Sequence, residues 1–385
     1  MNIRLFRPSI GQEELDNLKG VFDRAWMGLG PLVSEFEAEW SRYIGCKMSI
    51  GVNSATAALH LALTAFHFPA GKKVLVPAIT FASTASAVLY NNLVPVFVDV
   101  DEETAVMDLE DLQRKIDADC VAVIPVHNAG YPVPMGQLME IAARHGLKVI
   151  EDCAHCAGGA YNGKMLGTWG HIGCFSFEEK KCMTTGDGGM ICSDDPELLE
   201  PLKPYRWVGI DKDTWRRTVA AEGSQEDEAM HWHYDISVLG YKYNMNDVMA
   251  AIGLAQLKKL DAMNARRRAI IGRYLEGIKN IEGIKPYTAY SLRGKEAYWF
   301  FGIRSANRDE LMVYLKHKGI ATGVHFYPLP LHPLFKTWDN GCPVAKEIWK
   351  TFITLPSHVE LTEEEIDYVI EAINVFSKEH ATLIS

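Results

Sequence analysis

The chain has 385 residues, which the usual domain size divides into two or three units. With 48% hydrophobic and 23% charged residues it is composed as a globular protein able to bury a large core, and no run approaches the roughly 18 consecutive apolar residues of a membrane span. A net charge of -10 spread along the chain argues against a nucleic-acid surface, which needs clustered Lys and Arg, so any anionic ligand must be held by local groups.

The opening stretch MNIRLFRPSIGQEELDNL has no apolar signal core followed by small residues, so a cytoplasmic site is expected. The eight cysteines are scattered through apolar segments, a pattern of free thiols rather than of a disulfide scaffold. SATAALHLALTAF, beginning at Ser54, reads as a helix opening on Ser and Thr. From Lys72 to Ser193 short apolar runs follow: KVLVP, VPVFVDV, VAVIPVH, LKVIED, GCFSF and GGMICS. Helical patterns such as STASAVLY and MGQLMEIAARHG lie between several of them. Strands alternating with helices predict an α/β fold with a mostly parallel sheet covered on both faces.

The stretch at 214–234, TWRRTVAAEGSQEDEAMHWHY, is the most polar and least periodic long segment and reads as an exposed loop. From about Asn246 to Ile278 a long helix is expected, with Ala250, Leu254, Leu257, Leu260 and Met263 on one stripe and Lys258, Lys259 and Asp261 largely off it. It reads as the element joining a large domain, 1–250, to a smaller α+β domain, 251–385. In the latter YWFFGIRS and IATGVHFYP are expected strands, RDELMVYLKHKG a helix, and TEEEIDYVIEAINVF a closing amphipathic helix.

Ligands of open parallel sheets bind at the carboxyl ends of the strands, which directs attention to NSATA, IEDCAH and SFEEKK. The first offers hydroxyls and free N–H groups to a phosphate, although Ser and Thr are also ordinary helix caps. Asp152 either caps a turn or keeps a ring nitrogen protonated. Cys153 and Cys156 bracket His155, but no second pair follows at metal-site spacing, and no metal is expected. One of the adjacent Lys180 and Lys181 can be an amine held at a core edge, able to lose its proton and attack an aldehyde. Phosphate cradle, carboxylate and lysine together are the parts of a pyridoxal phosphate pocket.

The chain resembles the DegT/StrS-type nucleotide-sugar aminotransferases, fold-type-I pyridoxal phosphate enzymes. The motifs RPSIGQEELDNL, GLGPLVSEFEAEW, VNSATAALHLAL, VPAITFASTASAV, PVFVDVD, VIPVHNAG, VIEDCAHCAGGAYNGKMLGTWGHIGCFSF, TTGDGG, LGYKYNMND and GIATGVHF fall in the family's order. SATA, EDCAH and GYKYN are nearest to the branch containing the 4-amino-4-deoxy-arabinose aminotransferase. The resemblance implies a seven-stranded sheet in the large domain and selects Lys181 as the lysine that carries the cofactor. Lys181 lies four residues after Phe177 and five before Gly186; Lys180 fits neither spacing and is expected to face outward, toward Glu178 or Glu179.

By the same correspondence Asp152 pairs with the pyridinium nitrogen, Phe81 stacks on the ring and His155 lies beside the ring hydroxyl. Ser54, Ala55, Thr56 and Ser176 surround the phosphate. Asn244 reaches the phosphate of a neighbouring subunit, which implies a homodimer with shared active sites. The implied reaction moves an amino group from L-glutamate to a nucleotide-linked keto sugar, most simply at C4 of a 4-keto-6-deoxy sugar, by way of pyridoxamine phosphate. The product is an amino sugar for lipopolysaccharide, O-antigen or a related glycoconjugate. Trp207 and the segment HFYPLPLHPLF depart from the usual pattern and put His325, Tyr327 and His332 near a sugar or diphosphate site.

The alternatives are a same-fold dehydratase, a cyclitol aminotransferase, a catalytically silent binding member and an NAD-dependent dehydrogenase. The dehydratase branch replaces the lysine with histidine, against Lys181. A silent member has no need of the retained Lys181 and Asp152. The dehydrogenase requires a GxGxxG turn, and none is present.

Overall fold

The computed structural model describes residues 1–211, 234–292 and 294–381. The segment read as a polar loop lies outside these except for Tyr234.

The principal sheet has seven strands: β1 (Met48–Val52), β2 (Lys73–Pro77), β3 (Val94–Val98), β4 (Cys120–Val123), β5 (Lys148–Asp152), β8 (Ile172–Ser176) and β9 (Gly189–Ser193). A short hairpin, β6 (Ala160–Tyr161) and β7 (Lys164–Met165), interrupts the series. The spatial order is β1-β9-β8-β5-β4-β2-β3. Pairs from β8 through β5, β4 and β2 to β3 are parallel, while β9 runs antiparallel to both of its neighbours. The strands are apolar on both faces because helices cover both. Helices Ala55–Thr64, Ala82–Tyr90, Leu109–Lys115 and Met135–His145 follow β1, β2, β3 and β4 respectively, as parallel crossovers require.

Helix Asp247–Ile278 starts on the side chain of Asn246, whose Oδ1 accepts from Met249 N–H at 2.9 Å. Of the expected stripe, Ala250, Leu254, Leu260 and Met263 are buried and Leu257 is half-buried; Lys258 is exposed. Its first half packs on helices Gln12–Asp23 and Pro31–Ile44, and it also packs on the closing helix Glu363–Ala381. A second apolar core gathers Ile270, Tyr274 and Ile278 from this helix with Phe301, Ile303, Leu311, Ile353, Ile366 and Ile373, and takes in Ile3 from the N-terminus. Its sheet is antiparallel: β10 (Ile284–Pro286), β11 (Phe301–Ser305) and β12 (Phe352–Leu355).

IATGVHFYP is not a strand. Single bridges join Ile320 to Ile3 and Gly323 to Thr354, after which the chain leaves the sheet and lines a cavity with Val324, His325 and Phe326. Among the described residues no helix is long and apolar enough to cross a membrane. All eight cysteines are free thiols.

Candidate active site

A cavity of about 850 Å³ opens at the edge of the sheet where the parallel strands end. Asp152 closes β5, Ser176 closes β8, Ser54 follows β1 and Phe81 follows β2, so four strand ends deliver four predicted residues to one wall. Ala55, Thr56, His155 and Lys181 complete the predicted lining.

The geometry around the Ser54 turn is set by one glycine. Gly189 stands in register with both Ser176 on β8 and Val52 on β1. A Cβ built on it would lie 2.5 Å from the Ser54 carbonyl carbon and 2.7 Å from Ala55 N, so only glycine lets β9 come this close to the turn. That turn opens helix Ala55–Thr64, with Ser54 Oγ capping Ala57 N–H at 3.1 Å and Thr56 Oγ1 2.6 Å from Ser83 Oγ. Hydroxyls and the N-terminal end of a ten-residue helix thus converge where an anion can be held.

Asp152 is 4% exposed. Its Oδ2 accepts from Thr84 Oγ1 at 2.8 Å and its Oδ1 from Ala154 N–H at 3.1 Å. Burial raises its pKa, against the lowering effect of those two hydrogen bonds and of the charge on Lys181. A carboxylate so placed gains from a cation brought into the cavity.

Lys181 sits in a turn, its N–H donating to the Glu178 carbonyl at 2.9 Å. Arg267 Nη2 on the long helix donates to the Lys181 carbonyl at 3.5 Å, which ties the turn to that helix. Burial brings the Lys181 ammonium down to about 8, with Asp152 and Glu178 opposing the shift. Lys180 is exposed at the rim, 3.5 Å from Glu178, as expected.

His155 is buried, and among the described residues its Nδ1 has no hydrogen-bond partner. Burial, then the nearby Lys181 charge, holds this imidazole neutral far below its ordinary range. His325 also lines the cavity, with Nδ1 2.8 Å from Thr354 Oγ1 and its pKa lowered to about 4, chiefly by burial. Tyr327 and His332 do not line it; they pack edge-on against each other, and Tyr327 against Trp349. Asn244 is also outside the lining, bridged to Val52, with its Nδ2 donating to the Met245 carbonyl at 3.1 Å.

The family model for the DegT/DnrJ/EryC1/StrS aminotransferase family matches residues 8–374. The chain belongs to this family. SpsC of Bacillus subtilis, a spore coat polysaccharide biosynthesis protein, is 35% identical, with 95% of each chain covered. The sugar aminotransferase CalS13 from Micromonospora echinospora is 30% identical, with a TM-score of 0.87 over 97% of this chain and 99% of that one. Spr1654 from Streptococcus pneumoniae, solved in its PMP form, is 28% identical with a TM-score of 0.90, covering 98% of this chain and all of the other. As a member of the DegT/DnrJ/EryC1/StrS family the chain is a pyridoxal phosphate-dependent aminotransferase of the fold-type-I architecture.

The residues present fit that cofactor. The buried Nδ1 of His155 lacks a partner that a ring hydroxyl can supply, and Asp152 is a buried carboxylate without an ion pair among the described residues. The Ser54 turn and Ser176 flank the close approach at Gly189.

A buried trio, His127, Cys153 and Cys156, lies within metal-ligand reach of one another. Its imidazole is already engaged: Nε2 with Glu151 at 3.2 Å, and Nδ1 accepting from Val133 N–H at 3.2 Å. Burial holds both thiols protonated.

Two features of the site escaped the sequence reading. Thr84, buried behind Asp152 and hydrogen-bonded to it and to Thr80, each at 2.8 Å, looks in the sequence like an ordinary helical threonine. Trp299, together with Arg4, Leu5 and Phe6 from the N-terminus, comes from segments distant in sequence and carries no local signal.

Proposed function

We propose that this enzyme aminates C4 of a nucleotide-linked 4-keto-6-deoxy sugar, takes the amino group from L-glutamate, and supplies an amino sugar to a surface polysaccharide. The observation that carries this reading is the meeting of the Lys181 amine, the buried Asp152 carboxylate and the Ser54–Thr56 helix start on one cavity of about 850 Å³. That volume is at the upper end for a small-molecule site, enough for a cofactor and a substrate together. The description of CalS13 as a sugar aminotransferase and of SpsC as a polysaccharide biosynthesis protein supports the substrate class.

Pyridoxal phosphate, when bound, supplies an aldehyde that exchanges amino groups and a ring that draws electrons from the reacting carbon. Ser54, Ala55, Thr56 and Ser176 would hold its phosphate, Phe81 would cover a ring face, and His155 Nδ1 would meet the ring hydroxyl. Asp152 would keep the ring nitrogen protonated. Lys181 Nζ would hold the cofactor at rest and, once freed, would serve as the base that takes the proton from the carbon bearing the amino group. A residue lowered to about 8 is suited to both tasks near neutral pH. His325 stands on the substrate side. The enzyme works in the cytoplasm as a homodimer, with Asn244 of each chain directed at the other's cofactor phosphate.

Incubation with ¹⁵N-labelled L-glutamate and a panel of nucleotide-linked 4-keto-6-deoxy sugars, their 3-keto isomers and nucleotide-free keto sugars tests the reading. The label is expected at C4 of one of them, with 2-oxoglutarate released. Label at C3, or transfer only to keto substrates lacking a nucleotide, would overturn the assigned substrate.

A further inference from the structure

Trp299 stands beside Lys181. The ammonium Nζ lies over the indole of Trp299, 3.5 Å from the ring centroid. The same ring stacks on His155 at 4.3 Å and on Phe6 at 5.2 Å. Trp299 is 6% exposed and held at two further points: Nε1 donates to the Lys180 carbonyl at 2.7 Å, and its backbone N–H to the Ala129 carbonyl at 3.0 Å. One side chain therefore touches the lysine, its neighbour's backbone and the buried imidazole.

A cation over an aromatic face is attracted by the ring quadrupole, the more so where water is excluded. Lys181 needs such a place, because burial disfavours its charge each time it is free. We propose that Trp299 is the resting surface of the Lys181 ammonium: a positioning residue that holds the protonated lysine fixed and close to the reacting carbon between taking the proton and returning it. The proposal rests on Lys181 being the lysine that carries the cofactor.

The other groups facing Lys181 act in both directions. Asp152 and Glu178 favour the ammonium and Lys180 disfavours it; the Cys182 thiol adjoins it, and His155 and His325 are held neutral by burial. The contribution of Trp299 is separable from theirs because it depends on a π face rather than on charge. It also depends on size, since a smaller side chain admits water, so variants of similar size must be compared.

The test uses the full-length chain stripped of cofactor, with trace acetic anhydride as probe and peptide mass mapping of acetylated Lys181 against pH. In the unsubstituted chain half-maximal labelling is expected at about 8. Trp299→Phe keeps a π face and Trp299→Leu does not; the Phe variant is expected to titrate about one pH unit above the Leu variant. Fluorinated tryptophan, incorporated throughout the chain, weakens the face without changing its shape and is expected to lower the half-point even if the Leu variant does not fold. A Leu variant titrating at or above the Phe variant, or a half-point unmoved by fluorination, overturns the role of Trp299. Borohydride reduction of the cofactor-loaded variants separates the assignment of the lysine from the role of Trp299. Label on a lysine other than Lys181 overturns the underlying reading, whereas label on Lys181 with an unmoved titration overturns Trp299 alone.

Discussion

Asp152 shows how one residue's burial becomes chemistry. Within the protein its charge is disfavoured, and two hydrogen bonds, from Thr84 and from the Ala154 N–H, keep the carboxylate oriented into the cavity. A protonated ring nitrogen placed against it recovers the interaction that burial removed. Asp152→Asn keeps the shape and loses the charge. Turnover is expected to fall at least about a hundredfold, equivalent to roughly 2.7 kcal/mol of barrier. Steady-state kinetics at saturating cofactor reads this, and near-normal turnover removes Asp152 from the site. Asp152 and the Lys180–Lys181 pair were legible because each lies at the carboxyl end of an apolar run, where chemistry collects in parallel sheets, and the Ser54 turn because it opens a helix on hydroxyls; the choice of Lys181 over Lys180 came from the family resemblance. Thr84 was not, because a threonine inside a helical pattern is ordinary until its partner is known.

At the scale of elements, the site depends on how closely β9 approaches the turn after β1. Gly189→Ala inserts a methyl against backbone on the facing segment, with no flexible side chain to give way. Overpacking of this kind costs typically about 1–3 kcal/mol. The variant is expected to unfold at lower temperature and to retain pyridoxal phosphate less tightly, measured by thermal scans with and without cofactor and by equilibrium dialysis. Unchanged cofactor affinity would show that this approach does not shape the phosphate side. Strands β2 to β5, β8 and β9 read clearly from sequence because each is an almost uninterrupted apolar run that is largely buried. The strand β1 did not: MSIGV mixes Ser49 and Gly51 into five residues at the sheet edge. The short strands β10 and β12 are defined by pairing with β11 more than by their own pattern. IATGVHFYP looked like a strand for its β-branched and aromatic content, yet its tertiary role is to turn His325 and Phe326 into the cavity.

For the whole molecule, the position of Asn244 matters most. It lies just before the long helix, and its side chain reaches the Met245 carbonyl instead of the cavity of its own chain. If it serves a partner's cofactor phosphate, inactive Lys181→Ala and Asn244→Ala chains should complement each other when mixed. In a heterodimer one site collects both defects and the other is intact, so activity is expected to recover in part. Mixtures no more active than either parent, with heterodimers shown to form, would assign Asn244 to its own chain or to no site. Each of these roles depends on a single covalent attachment point. Borohydride reduction of the loaded enzyme, followed by peptide mapping that resolves Lys180 from Lys181, tests it most directly: the account predicts the reduced cofactor on Lys181, and finding it on Lys180 or on any other lysine would contradict it.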